Sequence, residues 1–254
     1  MIEPVQAERL ARLIREQQPC VALTGAGIST ESGIPDFRSP EGLWAEVDPM
    51  EVASMRAFRA DPERVWRFYA ARFDSLLSAE PNDGHLALAA LERLGLLRAV
   101  ITQNIDLLHE RAGSRAVVEV HGSIRTATCP RCRVELGLEE VLRLIDAGAG
   151  VPHCPECGAV PKPDVVFFGE LLPERASERA FELARGAGLL LVVGSSLEVH
   201  PVAALPDETL AAGGYVAVVN RERTALAGGR VVHFNASAGE LLGRAAALLS
   251  NNGT

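Results

Sequence analysis

Apolar residues along the chain fall into short unbroken runs separated by longer amphipathic stretches. Leu10, Leu13 and Ile14 recur at helical spacing, and the helix they predict stops near Pro19. Cys20, Val21, Ala22 and Leu23 then enter Thr24-Gly25-Ala26-Gly27, which reads as a buried strand ending in a glycine turn. Similar runs occupy residues 98–102, 117–120, 165–168, 189–193, 215–219 and 231–234, with helical stretches at 85–94, 173–187 and 239–249. An all-apolar strand has to be covered on both faces, so strands alternating with helices predict an α/β fold with a doubly wound parallel sheet.

Two stretches interrupt this alternation. Residues 28–79 are rich in turn formers and aromatics and contain a helix-like segment at 62–77. Residues 125–163 carry paired cysteines. Strand-like runs resume after each, so both read as insertions that build a smaller module on a single domain spanning residues 1–254.

Composition narrows the function classes. The chain has 254 residues, 48% of them hydrophobic and 23% charged, enough for a sizeable core. Its 25 basic against 33 acidic residues give a net charge of −8, which disfavours a coat for nucleic acid or for an anionic membrane. The start, from Met1 to Arg9, shows no basic segment leading into an apolar one, and no apolar run is long enough to span a bilayer. The expectation is a cytoplasmic protein.

Four of the five cysteines form two tight pairs, Cys129-Pro130-Arg131-Cys132 and Cys154-Pro155-Glu156-Cys157. A two-residue spacer lets both thiolates of a knuckle reach one tetrahedral ion, and two knuckles close a four-sulfur shell. Such a shell has no open position for water, so the zinc it predicts is structural. A redox CxxC is the competing reading, and His153 is a possible substitute ligand. Cys20, inside the first strand, reads as a small core residue.

Polar clusters end five of the strand-like runs. Gly25-Ala26-Gly27 opens a loop, Ile28 to Ser39, that mixes hydroxyls, an Asp, an Arg and a Phe; Thr30 stands where a dinucleotide fingerprint would have its third glycine. The others are Thr102-Gln103-Asn104-Ile105-Asp106, Glu119-Val120-His121-Gly122-Ser123, Gly194-Ser195-Ser196 and Asn220-Arg221-Glu222. Parallel sheets bind ligands at the carboxyl ends of their strands, so together these ends point to a nucleotide crevice.

These segments, with Gly33-Ile34-Pro35-Asp36-Phe37-Arg38, the two CxxC pairs and Phe168-Gly169-Glu170, resemble the sirtuin NAD-dependent protein deacylases, in sirtuin order from about residue 20 to 240. The resemblance implies a Rossmann-like sheet domain with a smaller zinc-ribbon and helical module, and a cleft where NAD meets an acyl-lysine peptide. In that family the acyl oxygen attacks the nicotinamide ribose as nicotinamide leaves, and a base then activates a ribose hydroxyl. His121 matches the base, and Asn104 and Asp106 match residues that orient the nicotinamide ribose and carboxamide. Gly25, Ala26, Gly27, Asp36, Phe37 and Arg38 match the cofactor loop. Gln103 resembles a ribose ligand, Ser195 and Ser196 match the phosphate-side loop, Asn220 the adenosine ribose contact and Ala238 the adenine end, and Ile105, Gly194, Arg221 and Glu222 match further cofactor-binding positions. Val165, Phe167 and Gly169 lie in the segment that pairs with substrate peptide as an added strand.

Tyr69 and Arg72 stand three apart on the helix expected after Pro62, so they share a face. Their surroundings resemble the desuccinylase and demalonylase branch, where this pair binds the distal carboxylate of an acidic acyl group. Ala53 matches a small residue that widens the acyl pocket there. Pro35-Asp36-Phe37 instead resembles ordinary deacetylases, and His200 replaces a tyrosine. The expected partners are therefore acylated lysines of proteins, with acidic acyl groups and acetyl both in play. A plain deacetylase, a mono-ADP-ribosyltransferase and a non-enzymatic NAD or ADP-ribose sensor are the alternatives.

Overall fold

The computed structural model describes residues 4–37, 39–40 and 42–251. Nine strands are present among them: β1 (Cys20–Thr24), β2 (Ala99–Thr102), β3 (Val117–Glu119), β4 (Gly122–Thr128), β5 (Glu135–Gly137), β6 (Lys162–Val165), β7 (Leu189–Val193), β8 (Tyr215–Asn220) and β9 (Val231–Asn235). Six of them form an all-parallel sheet in the order β3-β2-β1-β7-β8-β9. The chain winds outward from β1 in one direction, then crosses to β7 and winds outward in the other. Between β1 and β7 lies the point where a doubly wound sheet opens its crevice.

Successive residues of the central strands feed opposite cores. Cys20, Ala22, Leu189, Leu191 and Val193 pack on helices Pro4–Glu16, Asp83–Arg93 and Ala238–Asn251. Val21, Leu23, Leu190 and Val192 pack on helices Glu174–Arg185 and Leu205–Ala211. Every residue of β1, β2 and β7 is buried, which accounts for their lack of polar alternation.

A second, three-stranded antiparallel sheet has the order β5-β4-β6. Its core joins the two stretches that interrupt the alternation: Phe58, Val65, Trp66, Tyr69 and Phe73 from the first meet Ala127, Leu136, Val141 and Val151 from the second. The Trp66 indole N–H donates to the Pro161 carbonyl at 2.6 Å, with the ring 1% exposed. One sequence expectation is corrected here. The apolar run at 165–168 is not a strand of the large sheet. Val165 ends β6 of the small sheet, while Val165 and Phe167 are buried in the module core and Phe168 turns outward, 37% exposed.

Two of the longer helices begin with a side-chain cap. Asp61 accepts from the Arg64 N–H, with Pro62 in the first turn, and starts helix Pro62–Ser78. Asn82 caps helix Asp83–Arg93 by accepting from the Gly84 N–H, while its amide donates to the Ile28 carbonyl at 2.7 Å and the Ser32 hydroxyl at 2.9 Å. That side chain thus ties the loop after β1 to the start of the helix that packs on the sheet.

Candidate active site

A cleft of about 1010 Å³ opens at the carboxyl ends of β1, β2, β7 and β8. Gly25, Ala26, Gly27, Asp36, Phe37, Gln103, Asn104, Ile105, Asp106 and His121 line it, as do Gly194, Ser195, Ser196, Asn220, Arg221, Glu222 and Ala238. So do Ala53, Tyr69, Arg72, Val165, Phe167 and Gly169. Arg38 lies outside the described residues. Residues far apart in sequence thus converge on one space.

The floor is set by backbone proximity. The Gly25 N–H donates to Val193 O at 3.1 Å, and the Gly27 N–H donates to Gly194 O at 2.9 Å. A Cβ on Gly27 would lie 2.8 Å from both Cα and O of Gly194, and one on Gly25 would lie 2.8 Å from Gly194 O. Gly194 itself has φ +61, and a Cβ there would sit 2.2 Å from Ile28 N. Glycine is therefore required at all three positions, and the floor presents backbone without side chains to a ligand.

Above this floor sits a buried polar network. Ser29, fully buried, donates to Asp106 Oδ2 at 2.6 Å, and the Leu108 N–H donates to Oδ1 at 3.0 Å. The Asn104 amide donates to Ser29 Oγ at 3.0 Å and to Gly25 O at 3.2 Å. Burial raises the Asp106 pKa, with these hydrogen bonds opposing the rise. Gln103 Nε2 donates to Ser195 Oγ at 2.9 Å, linking the loop after β2 to that after β7. His121 Nδ1 lies 3.1 Å from Gln103 O. A carbonyl can only accept, so Nδ1 carries a proton, and in the neutral imidazole Nε2 then holds the lone pair.

The opposite wall is aromatic. Phe37 stacks on Trp44 at 5.2 Å, Trp44 on Phe68 at 6.4 Å, and Tyr69 on Phe167 at 5.7 Å. The Arg72 guanidinium lies 3.8 Å from the Phe68 ring centroid and donates to Phe68 O at 2.7 Å. It makes no ion pair with a described carboxylate, and burial lowers its pKa against the opposing pull of Glu46 and Tyr69. Burial raises the Tyr69 phenol. Sequence reasoning gave no role to Trp44 or Phe68, which belong to no short motif. Ser29 lies in the loop after the glycine turn, and because its partner Asp106 is 77 residues away, no spacing in the sequence joins them.

The four cysteines stand apart from the cleft, none of them lining it. Their Sγ atoms all lie within 4.8 Å of one another, with Cys129–Cys157 and Cys132–Cys154 each at 3.5 Å. A zinc ion about 2.3 Å from each sulfur places tetrahedral thiolates roughly 3.8 Å apart, so the donor set and spacing fit one structural Zn²⁺.

The model of the Sir2 family matches residues 25–201. The chain belongs to the Sir2 family. Among the relatives of this Sir2 protein, the NAD-dependent protein deacylase of Pyrococcus abyssi is 44% identical, over 92% of this chain and 94% of that one. The NAD-dependent protein deacylase of Thermococcus kodakarensis is 46% identical over 91% of each. The NAD-dependent protein deacetylase of Caldivirga maquilingensis is 46% identical over 85% of this chain and 83% of the relative. A solved Sir2 enzyme superposes with a TM-score of 0.92 at 41% identity, covering 98% of this Sir2 chain and 100% of the other. A Sir2 enzyme bound to a propionylated peptide gives a TM-score of 0.85 at 38% identity, over 97% and 98% of the two chains.

Proposed function

We propose that this Sir2 protein is an NAD-dependent protein-lysine deacylase whose substrates include acidic acyl groups, succinyl and malonyl, alongside acetyl. The NAD-dependent deacylase part rests on family membership and on a cleft lined by both halves of the required chemistry. The acidic-acyl part rests on Arg72, a guanidinium on the cleft wall that Glu46 influences through its charge but that makes no close ion pair with a described carboxylate.

Bound NAD supplies an electrophilic ribose carbon once nicotinamide departs. The chain's own residues do the rest. Gly25, Gly27 and Gly194, packed backbone to backbone with no room for side chains, would hold the pyrophosphate through their main chain. Ser195 and Ser196 bind on the phosphate side, Asn220, Arg221 and Glu222 on the adenosine ribose, and Ala238 at the adenine. The Asp106 carboxylate takes the nicotinamide amide N–H, while Asn104 and Gln103 hold the ribose. His121 Nε2 accepts a proton from a ribose hydroxyl, its ring held in the basic tautomer by the bond to Gln103 O. Gly169 and its neighbours pair with the peptide backbone, and the acyl chain runs past Ala53 toward Tyr69 and Arg72. There a distal carboxylate meets one guanidinium and one phenol, a charge-assisted pair on a wall where Tyr69 is buried and Arg72 half-buried.

The test compares kcat/KM on one peptide bearing succinyl-, malonyl- or acetyl-lysine, with NAD, in the parent protein and in Arg72→Met. Loss of a charged hydrogen bond predicts a fall of about 10- to 100-fold for the acidic acyl groups and little for acetyl. An unchanged ratio removes the carboxylate role of Arg72 and leaves a plain deacetylase. No turnover of any of the three peptides overturns the deacylase reading itself.

A further inference from the structure

Next to the cleft, on the outer side of the segment holding Phe168 and Gly169, lies a second depression of about 570 Å³. Its floor is apolar, formed by Met50, Met55 and Phe168; Met50 is 41% exposed and Phe168 37%. Its rim carries Arg56 and Arg59, three apart on helix Met55–Ala60 and so on one face. Phe168 and Gly169 line both cavities, making the depression a continuation of the cleft edge. The wall is pinned there by backbone: the Phe168 N–H donates to Ala53 O at 2.8 Å, and the Met55 N–H donates to Phe168 O at 3.0 Å.

The two arginines stand out by their lack of ion-pair partners. Nearby Arg64 is paired with Glu51, and Arg67 pairs with Glu63. Arg56 and Arg59 pair with no described carboxylate, in a chain whose net charge is −8. An apolar floor beside two free guanidinium groups suits a side chain with methylenes below and a carboxylate above.

We infer that this depression is a substrate subsite that reads the polypeptide flanking the acyl-lysine, taking a glutamate or aspartate from it through Arg56 and Arg59. The inference rests on the proposed pairing of substrate peptide along the 165–169 segment. Its occupant is part of the substrate chain, so its effect falls on the choice of peptide and not on the acyl group.

The experiment uses acetyl-lysine peptides carrying Glu, Gln or Lys at each of the two positions on either side of the modified lysine. At one of those positions the parent protein is expected to favour Glu over Lys by about fivefold in kcat/KM, the scale of two exposed ion pairs. Arg56→Gln with Arg59→Gln should bring that ratio to within about twofold of unity, and Arg56→Glu with Arg59→Glu should invert it, which damage to packing alone would not do. Anisotropy of fluorescent forms of the same peptides reads the subsite without turnover. Equal treatment of Glu and Lys by the parent protein, or a ratio that survives charge reversal, overturns the subsite. Charge-dependent binding that persists without turnover supports the subsite and overturns the deacylase reading alone.

Discussion

The Ser29 hydroxyl donates to the Asp106 carboxylate across 2.6 Å in a site where Ser29 is fully buried and Asp106 only 5% exposed. The bond joins the loop after β1 to the loop after β2 and opposes the rise that burial imposes on the Asp106 pKa. Removing it with Ser29→Ala leaves the carboxylate buried with one donor fewer, so its pKa climbs further. If ionised Asp106 holds the nicotinamide amide, the acidic limb of the kcat/KM profile should move to higher pH in Ser29→Ala, while activity on the alkaline side falls less. A profile that drops uniformly, with its acidic limb unmoved, would mean that Asp106 does not act through its charge.

Gly27 and Gly194 meet backbone to backbone, so neither side can yield to an added methyl group. Gly27→Ala places a Cβ 2.8 Å from Gly194 Cα and O, an overpacking expected to cost about 1–3 kcal/mol in denaturant unfolding. It should also weaken NAD binding in calorimetry by at least tenfold, because the loop must shift where the pyrophosphate lies. Gly229→Ala is the control: a Cβ there meets nothing within 4 Å, and stability should be nearly unchanged. Equal behaviour of the two variants would exclude close approach as the reason for glycine at position 27.

His85 and His109 face each other below the site, ring centroids 4.9 Å apart. Neither His85 nitrogen has a partner among the described residues, and His109 uses only Nε2, 2.9 Å from Thr24 Oγ1. Burial pushes His85 down to about 4, and burial together with the neighbouring His85 pushes His109 down to about 3. Their folded pKa values lie below the unfolded one, so between these limits the unfolded chain binds more protons. The stabilisation is therefore complete above about pH 6.5 and is lost as pH falls through about 4 for His85 and about 3 for His109. Unfolding free energy should drop by a few kcal/mol over that window, and His85→Leu should flatten the slope. An equal slope in parent and variant would assign the acid sensitivity elsewhere.

The large sheet and the cleft were legible in sequence for the same reason. Strands buried on both faces have no polar alternation to blur them, and β1 and β7 end in glycines that the fold itself requires. The small module was much less legible, because its core is assembled from separate stretches, and outside helix Pro62–Ser78 they bury only one or two residues each. In β4 only Ile124 and Ala127 are buried, and helix Leu138–Ala147 buries only Val141. The apolar run at 165–168 was therefore read as another strand of the large sheet, although Val165 and Phe167 fill the module core. Trp44 and Phe68 escaped notice because stacking along a cleft wall depends on distance in space and leaves no spacing in sequence.

Zinc removal should separate the two cores. The cysteines tie the turn at Cys129 and Cys132, between β4 and β5, to the turn at Cys154 and Cys157 that precedes β6. Without the ion, four thiolates would repel or protonate, and the small sheet would lose the link that closes it. The two cores flanking the large sheet contain none of these cysteines and no residue of β4, β5 or β6. Cys132→Ala should therefore lose about one zinc per chain by mass spectrometry while keeping most of its helical circular dichroism. Trp66 reports on the module directly, since its indole N–H is held by Pro161 beside the second knuckle. Its emission should shift to the red as that contact opens to water. Deacylation should fall sharply, because Tyr69, Val165 and Phe167 on the cleft wall share the module core. A zinc-free variant with unshifted tryptophan emission and full activity would show that the ion does not hold this module together.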